Sequence, residues 1–393
     1  MPKHALLSAS SAERWINCPP SARLEEKFPD KTSIYAEEGS LAHAMGDLIN
    51  RYNFKIGSIS GGEFISQMEK LKAQELYKKE MDNFVEGYCN YVFEEYCRVL
   101  NWQENNWAVA MFEEAVDFSE YVPDGFGTVD CAIVSNDVIE VIDFKYGKGV
   151  LIPPENNKQM MLYALGVYLN YGLIYDIKKI GMSIYQPRLG NISRWGVGVN
   201  GLIEWAKTEL ATKAKLAFEG AGEFKVGGHC KFCKANAVCR ARAEHYLKFL
   251  GYGHKKPNTL TDSELPDILA ASCSLKDWAE DVAGYMLGQA VGGKKYNGFK
   301  LVEGKRTRRY TDEREVEKLL KNANYDADSF YSKKLLGITA MEALLTKKVF
   351  NELLGGLVYK APGKPTLVPE PDKRPGLSSA AIDFAGTGVD GFV

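Results

Sequence analysis

The spacing of apolar residues is extended in the middle of the chain and helical on either side of it. Three apolar-rich runs, at residues 107–117, 127–135 and 138–146, predict consecutive strands, with Asn136-Asp137 as the turn between the last two. Helical spacing follows at residues 156–170, a further strand at 179–185 and a helix at 201–218. This order predicts an α/β fold with a mixed central β-sheet flanked by helices.

The two ends of the chain differ in character from this centre. Residues 8–50 are predicted to be mostly helical, and residues 62–101 to form one long helical stretch. Beyond residue 245 the pattern predicts helices at 262–290 and 312–355, a basic strand at 298–310, and a Pro- and Gly-rich tail. We therefore expect three parts: a first domain at 1–245, a largely helical C-terminal extension at 246–360, and a flexible tail at 361–393.

Charge and hydropathy narrow the function classes only a little. The 393 residues carry a formal net charge of −2, which excludes a uniformly basic nucleic-acid coat but leaves room for a local basic cleft. No apolar run reaches the roughly 20 residues that a membrane span needs. The first residues also lack the long apolar region of a secretory signal. The sequence predicts a cytoplasmic protein without a membrane partner.

Two acidic residues and a lysine fall on the neighbouring strands of the predicted sheet. Asp130 lies in the second strand, and Asp143 and Lys145 lie two residues apart in the third, so both point to the same face. The turn at 136–137 allows a hairpin that brings Asp130 beside Asp143. Paired carboxylates form a hard oxygen site for Mg²⁺ or Mn²⁺, and a nearby lysine can offset charge on a phosphate. Alone, an Asp-x-Lys pattern also fits a solvent-facing strand.

Flanking residues strengthen the metal-site interpretation. Gln159 and Tyr163 are four residues apart on the following helix and share one face. Upstream, Gly39 and His43 lie in a helical segment. A neutral imidazole next to two carboxylates can complete a metal shell.

The eight cysteines do not suggest a disulfide framework in a chain of this length. Cys230, Cys233 and Cys239 form a C-x2-C-x5-C cluster, and the remote Cys18 can supply a fourth thiolate. The spacing does not distinguish zinc from an iron–sulfur cluster. The remaining four are expected to be small core residues: Cys89, Cys97, Cys131 and Cys273.

Taken together and in this order, these motifs resemble the RecB-type branch of the PD-(D/E)xK nuclease superfamily. The matching elements are Gly39-x3-His43, Gly127-x2-Asp130, Asp143-Phe144-Lys145 and Gln159-x3-Tyr163. The resemblance implies a restriction-endonuclease-like core. It also implies that His43, Asp130, Asp143 and the Phe144 backbone carbonyl hold Mg²⁺ or Mn²⁺, that Lys145 is catalytic, and that Gln159 and Tyr163 support the site.

The same resemblance extends to the cysteines and to the biological setting. Some RecB-type nucleases, including the AddB subunit and the CRISPR-associated four-cysteine nucleases, hold a [4Fe–4S] cluster with one cysteine before the nuclease motifs and three after them. Cys18 and the later three cysteines fit that layout. Similarity to phage and prophage proteins implies DNA as substrate, exonuclease action in replication or recombination, and a phage single-strand-binding or annealing protein as a possible partner. Candidate contacts to DNA phosphates are Lys148, Lys231, Lys234, Arg240 and Arg242.

Two other functions remain open at this point. One is a non-catalytic DNA-binding or recombination-partner protein on a retained nuclease fold, and the other is a zinc-stabilised structural module without nuclease chemistry. DNA binding without metal-dependent cleavage favours the first. The colour of anaerobically purified protein separates an iron–sulfur cluster from zinc.

Overall fold

A computed structural model describes residues 5–29, 33–101, 107–248 and 261–299, together with the helical residues 342, 347, 348 and 351. The chain divides into two compact units. The first, residues 1–258 and 275–294, contains the sheet and both candidate sites. The second comprises residues 259–274 and 295–393, of which the structure describes helical residues 264–274 and little else. The domain boundaries predicted at residues 245 and 360 stay predictions.

A five-stranded mixed sheet forms the centre of the first unit, with strand order β1-β2-β3-β4-β5. Strands β3 and β4 pair in parallel and every other neighbouring pair is antiparallel. Asp137, with φ of 67°, provides the left-handed residue that closes the β2–β3 hairpin. The predicted mixed sheet flanked by helices is thereby confirmed. The strands are β1 (Val109–Asp117), β2 (Phe126–Ser135), β3 (Asp137–Phe144), β4 (Ile177–Gln186) and β5 (Asn191–Gly198).

Several helices cover the sheet, and one of them supplies the parallel crossover from β3 to β4. The helices are α1 (Ala12–Asn17), α2 (Ser21–Glu25), α3 (Ile34–Asn53), α4 (Gly61–Lys72), α5 (Glu80–Leu100), α6 (Lys158–Tyr171), α7 (Val199–Trp205), α8 (Ala211–Glu219), α9 (Arg240–Leu247) and α10 (Glu264–Val291). A π-helical turn at Ala206–Leu210 joins α7 to α8. The crossover helix is α6.

Two elements differ from the sequence-based expectation. The single helix predicted over residues 62–101 is in fact α4 and α5, separated by a non-helical link at residues 73–79. Strand β5 was not predicted. Its residues alternate between half-buried and exposed at the edge of the sheet, so it lacks the apolar run that marks the other strands.

Two apolar layers enclose the sheet. On one face α6, α7, α8 and the N-terminal segment pack against β-strand residues such as Val141 and Met182. On the other face α3 and α5 pack against residues such as Ile142 and Phe144. Consecutive residues of β3 therefore alternate between the layers, and Asp143 falls on the side that α6 covers.

Some predictions fall outside the described residues or fail within them. The basic run from Lys305 to Arg309, the helix at 312–355 and the tail at 361–393 lie outside the part of the chain that the structure describes. Cys89 and Cys131 are buried as predicted. Cys273 is exposed, and every residue of its helix, α10, is exposed or half-exposed. The prediction that Cys273 lies in the core was therefore wrong. None of the described helices is long and apolar enough to cross a membrane.

Candidate functional site

The β2–β3 hairpin brings the two predicted aspartates together. Cys131 pairs with Ile142, so one further step along the antiparallel register places Asp130 opposite Asp143. The backbone N–H of Phe144 donates to Asp130 Oδ2 at 2.7 Å, which fixes that carboxylate against β3. The neighbouring-strand arrangement expected from the sequence is thus present.

At this level of the sheet, the alternation of side chains between the two faces shifts by one residue on both β1 and β2. Phe112 and Val116 are both even-numbered, yet they lie in opposite apolar layers. Val129 and Cys131 on β2 are likewise divided between the layers. The register Phe112↔Cys131 places Glu113 at the level of Asp130, and Glu113 has a positive φ of 46°. A non-glycine residue in this region is uncommon, and here the distortion turns an acidic side chain toward Asp130.

Helix α3 brings His43 to the same point. The helix begins at the Ser33 cap, whose side chain accepts from the Ala36 N–H. Nδ1 of His43 lies 3.5 Å from Asp130 Oδ1 and 3.6 Å from Glu113 Oε1. Among the described residues, His43, Glu113 and Asp130 form the one group of three possible metal ligands whose atoms all lie within 4.8 Å of one another.

The charges of this group depend strongly on one another. Burial lowers the pKa of His43, but the carboxylates of Asp130 and Glu113 outweigh burial and raise that pKa to about 10. Burial likewise raises the pKa of Asp130, but His43, Lys145 and the Phe144 N–H together hold it below its usual value. The protonated imidazole therefore supplies a positive charge between the carboxylates of Asp130 and Glu113.

Lys145 and Gln159 form a hydrogen-bonded cluster around Asp143. Lys145 Nζ donates to Asp143 Oδ1 at 3.0 Å and to Gln159 Oε1 at 3.3 Å. Gln159 Nε2 lies 3.3 Å from Asp143 Oδ1 and 3.2 Å from the Tyr163 hydroxyl, and donates to both. Helix α6 holds Gln159 and Tyr163 on the face that covers β3, so the four predicted residues converge.

The buried carboxylate of Asp143 faces the Lys145 ammonium with both oxygens. Lys145 Nζ lies 3.0 Å from Oδ1 and 2.9 Å from Oδ2. Burial, reinforced by the charge of Asp130, raises the pKa of Asp143 despite the Lys145 ammonium. For Lys145, burial lowers the pKa, but the charges of Asp143 and Asp130 outweigh it and leave the pKa raised. Two neighbouring carboxylates, Asp130 and Asp143, offer the oxygen ligands that a hard cation prefers.

The structure explains one of the two motif glycines, Gly127, and not the other, Gly39. A Cβ on Gly127 would lie 3.0 Å from Tyr163 Cε1, so the absence of a side chain lets the Tyr163 ring approach β2. No atom lies within 4 Å of the corresponding position on Gly39. Nothing in the structure explains a glycine there.

The four predicted cysteines line one cavity. Cys18 follows α1, and Cys230, Cys233 and Cys239 follow α8 in a short irregular segment. The backbone N–H of Lys225 donates to Cys18 Sγ at 3.4 Å across 207 residues of sequence. Glu25 connects the same two parts of the chain. It pairs with Arg14 at 3.2 Å and accepts a hydrogen bond from the Lys234 N–H at 2.7 Å.

A histidine that the sequence interpretation missed lies among these thiols. His229 lines the cavity, and its hydrogen bonds with Cys18 and Cys230 raise the pKa of His229 to about 10, against the effect of burial. Burial raises the pKa of Cys230, but His229 outweighs it and leaves that pKa lowered. Burial raises the pKa of Cys233 to about 12. One indication of this histidine was present in the sequence, because His229 immediately precedes Cys230.

Glu113 was also missed. The signal was an acidic pair, Glu113-Glu114, in a strand predicted next to that of Asp130. Arg242, a predicted phosphate contact, is instead buried and pairs with Asp281 at 2.6 Å, so it is not a surface cation. The other predicted contacts are exposed: Lys148, Lys231, Lys234 and Arg240.

Comparisons with known proteins give a family and a distant structural match. A solved structure named "Crystal structure of SSO0001" matches with 15% identity and a TM-score of 0.24, over 50% of this chain and 85% of its own. That similarity is too low to carry an argument about activity. A family model described as "Protein of unknown function (DUF2800)" matches residues 4–375, nearly the whole length, and the chain therefore belongs to the DUF2800 family.

Proposed function

We propose that this protein is a divalent-metal-dependent DNA nuclease of the RecB type. One observation carries the proposal: His43, Asp130 and Glu113 offer metal ligands within 4.8 Å of one another, beside the Asp143–Lys145 pair. Three carboxylates lie close together here, and His43 and Lys145 supply only part of the positive charge that would balance them at a metal site. A cation at this position would supply the rest.

The ligand set suits Mg²⁺ or Mn²⁺ better than a softer metal, because it consists of carboxylates and one imidazole. His43, Asp130 and Asp143 would hold the ion, with the Phe144 carbonyl as the ligand that the resemblance implies and Glu113 as a further one. When bound, such an ion polarises a phosphate and lowers the pKa of a water molecule.

The neighbouring residues would place a positive charge where the phosphate gains negative charge. The Lys145 ammonium is held by Asp143 and Gln159, so its position is fixed before substrate arrives. Gln159 also bonds the Tyr163 hydroxyl, which orients its amide. Lys145 would be the catalytic cation, and Gln159 and Tyr163 would be its positioning residues.

The cysteine cavity would hold a metal that ties the two ends of the nuclease domain together. Four thiolates suit either a zinc ion or an iron–sulfur cluster. The layout of one cysteine before the nuclease motifs and three after them, which resembles that of the four-cysteine nucleases, favours a [4Fe–4S] cluster. Brown protein after anaerobic purification would support the cluster, and colourless protein containing zinc would contradict it.

The substrate and setting rest on the resemblance. DNA in the host cytoplasm would be degraded by exonuclease action during phage replication or recombination, with a single-strand-binding or annealing protein as partner. The exposed side chains of Lys148, Lys231, Lys234 and Arg240 would contact DNA phosphates.

The test compares the Asp143–Lys145 pair with a second Asp–Lys pair that is exposed. Linear and circular DNA, single- and double-stranded, are incubated with Mg²⁺, Mn²⁺ or EDTA. Asp143→Asn and Lys145→Met should each reduce metal-dependent cleavage by roughly 10²–10³-fold. The matched controls Asp176→Asn and Lys178→Met alter an exposed ion pair of 3.1 Å and should cleave as the wild type does.

Cleavage that survives Asp143→Asn and Lys145→Met would refute the assignment. DNA binding in EDTA, measured in parallel, identifies the competing function. Wild-type protein that binds DNA tightly but cleaves none of these substrates with either metal is a non-catalytic DNA-binding protein. Circular DNA that resists cleavage while linear DNA is degraded would establish exonuclease action.

A further inference from the structure

One face of helix α3 contacts both the distorted residue of β1 and the backbone before it. His43, Asp47 and Arg51 follow one another at intervals of four residues and therefore share that face. Nδ1 of His43 lies 3.6 Å from Glu113 Oε1. Two turns further along the helix, Arg51 Nη2 donates to the carbonyl oxygen of Phe112 at 2.5 Å.

The hydrogen bond from Arg51 acts on the peptide unit that sets the conformation of Glu113. The carbonyl of Phe112 and the N–H of Glu113 belong to one planar peptide unit, and φ of Glu113 describes the rotation about the N–Cα bond that follows it. That φ is 46°, a value that a non-glycine residue keeps only where the surrounding contacts enforce it. Arg51 supplies such a contact.

Two further contacts limit the movement of Arg51 and Phe112. Asp47 Oδ1 accepts a hydrogen bond from Arg51 Nε at 2.6 Å, one turn back along α3. The ring of Phe54, directly after the helix, has its centroid 5.2 Å from that of the Phe112 ring. The end of α3 therefore holds Phe112 by its backbone and by its side chain.

A regular strand would direct Glu113 elsewhere. Phe112 lies in the apolar layer that α3 and α5 form. Because side chains of a regular strand alternate between faces, the residue after Phe112 would point to the opposite layer, which α6 covers. Only the distorted conformation brings the Glu113 carboxylate to His43, on α3.

We propose that Arg51 is a positioning residue of the carboxylate site. It holds the peptide between Phe112 and Glu113 in the conformation that keeps the Glu113 carboxylate beside His43 and Asp130. The inference rests on the proposed function and deepens it, because it concerns how a metal ligand of that site is held. A ligand that is already oriented binds a cation more tightly than one that must first be ordered, and residues that orient metal ligands commonly affect affinity.

The experiment is a double-mutant cycle on the Kd for Mn²⁺, measured without DNA from the electron paramagnetic resonance signal of free Mn²⁺. Wild type, Arg51→Met, Glu113→Gln and the double variant are compared at a temperature at which circular dichroism shows all four to be folded. Arg51→Met should raise the Kd by up to about tenfold, the loss expected when Glu113 itself is replaced. In the Glu113→Gln background the same substitution should change the Kd by less than about twofold, because the carboxylate that Arg51 positions is gone.

The matched control is Arg23→Met. Arg23 Nε also donates to a backbone carbonyl, that of Phe218 at 2.7 Å, so the control removes the same kind of bond elsewhere in the first unit. It should leave the Kd for Mn²⁺ at the wild-type value. A purely structural role of Arg51 would lower the unfolding temperature of both arginine variants without raising either Kd.

A conservative variant provides the same test without loss of the positive charge. Arg51→Lys keeps a cationic donor but not the planar guanidinium that contacts Asp47 and Phe112 together, so its Kd should lie between those of wild type and Arg51→Met. If Arg51→Met does not fold, the cycle is run with Arg51→Lys, and an unchanged Kd would then contradict the proposal.

Equal Mn²⁺ affinities of wild type and Arg51→Met would overturn the proposal, as would an equal loss of affinity in the presence and absence of the Glu113 carboxylate. An unchanged Kd in Glu113→Gln would overturn it too. A wild-type protein that binds no Mn²⁺ disproves the metal site of the proposed function, and the role of Arg51 with it. Binding by the wild type with an unaffected Arg51→Met variant disproves the role of Arg51 alone.

Discussion

Individual side chains of the carboxylate site balance their charges through His43. Its imidazolium lies 3.5 Å from Asp130 Oδ1 and 3.6 Å from Glu113 Oε1. Asp143, opposite Asp130 in the hairpin, has the Lys145 ammonium 3.0 Å from Oδ1 and 2.9 Å from Oδ2. A divalent ion would therefore exchange with a proton at His43 as it engages these oxygens.

Glu113 should contribute directly to metal binding. Its carboxylate reaches His43 Nδ1 at 3.6 Å, so Glu113→Gln removes one negative charge from the ligand group. We expect the Kd for Mn²⁺, measured by titration without DNA, to rise about tenfold. The adjacent, exposed Glu114→Gln is the matched control and should leave the Kd unchanged. Equal affinities for both variants would remove Glu113 from the site.

The affinity for metal should rise with pH. A metal ligand must be a neutral imidazole, yet the pKa of His43 is raised to about 10, so the ring is protonated at neutral pH. Below pH 10, each unit of increasing pH lowers the free energy needed to remove the proton from His43. The Kd for Mn²⁺ should therefore fall by up to about tenfold per pH unit. Titrations at pH 6.5, 7.5 and 8.5 test this. His43→Gln should flatten the dependence, and a flat wild-type curve would contradict it.

At the scale of elements, the hairpin and α6 could be predicted because their signals are local. The turn at 136–137, the alternating strands and the i, i+4 pair Gln159 and Tyr163 all lie within about thirty residues of one another. Glu113 could not be placed, because β1 and β2 switch faces at a distorted residue that breaks the alternation rule. Strand β5 was missed for a related reason, since edge strands need no continuous apolar run.

Helix α3 depends on a buried ion cluster that holds it in place. Glu38 is buried and accepts from Arg188 and Lys78, both at 3.2 Å. Arg188 follows β4, also reaches Glu80 on α5 at 3.3 Å, and lies 4.9 Å above the Tyr146 ring. The cluster thus connects the helix that carries His43 to both α5 and the end of β4.

Glu38→Gln should destabilise the protein and do so in a pH-dependent way. Loss of one partner leaves the Arg188 guanidinium less compensated, and we expect a loss of about 2 kcal/mol in the free energy of unfolding at pH 7. Burial raises the pKa of Glu38, but Lys78 and Arg188 outweigh it and leave that pKa below its usual 4.5. A carboxyl group whose pKa is lower in the folded than in the unfolded state stabilises the fold at pH values above its unfolded-state pKa.

The difference between wild type and Glu38→Gln should therefore be complete above about pH 5 and shrink as pH falls through the folded pKa. Urea unfolding across pH 3–7 measures it. The control Glu75→Gln alters an exposed carboxylate outside this cluster and should show a much smaller effect at every pH. A difference that stays constant down to pH 3 would assign the loss to packing.

At the scale of the whole molecule, polar contacts attach the N-terminal segment to the later part of the first unit, next to the proposed cysteine site. Arg23 donates to the Phe218 carbonyl at 2.7 Å and stacks on its ring at 4.9 Å. The sequence indicated that Cys18 and the later trio belong together. It could not show that Glu25 and His229 reinforce the same junction, because those contacts join residues about 200 positions apart.

Removal of the sulfur-bound metal should destabilise the first unit as a whole. Cys18 and Cys230 enclose a loop of 212 residues (230 − 18), and closing such a loop in the unfolded chain is worth at most about 5 kcal/mol. We expect chelation to lower the unfolding midpoint, and Cys18→Ser to abolish the difference between chelated and untreated protein. Cys273→Ser, at an exposed cysteine outside the cavity, should preserve it. Since the loop spans the whole sheet, tryptophan fluorescence and far-UV circular dichroism should report the same lowered midpoint. A midpoint insensitive to chelation in metal-loaded protein would show that the polar contacts alone hold the two ends together.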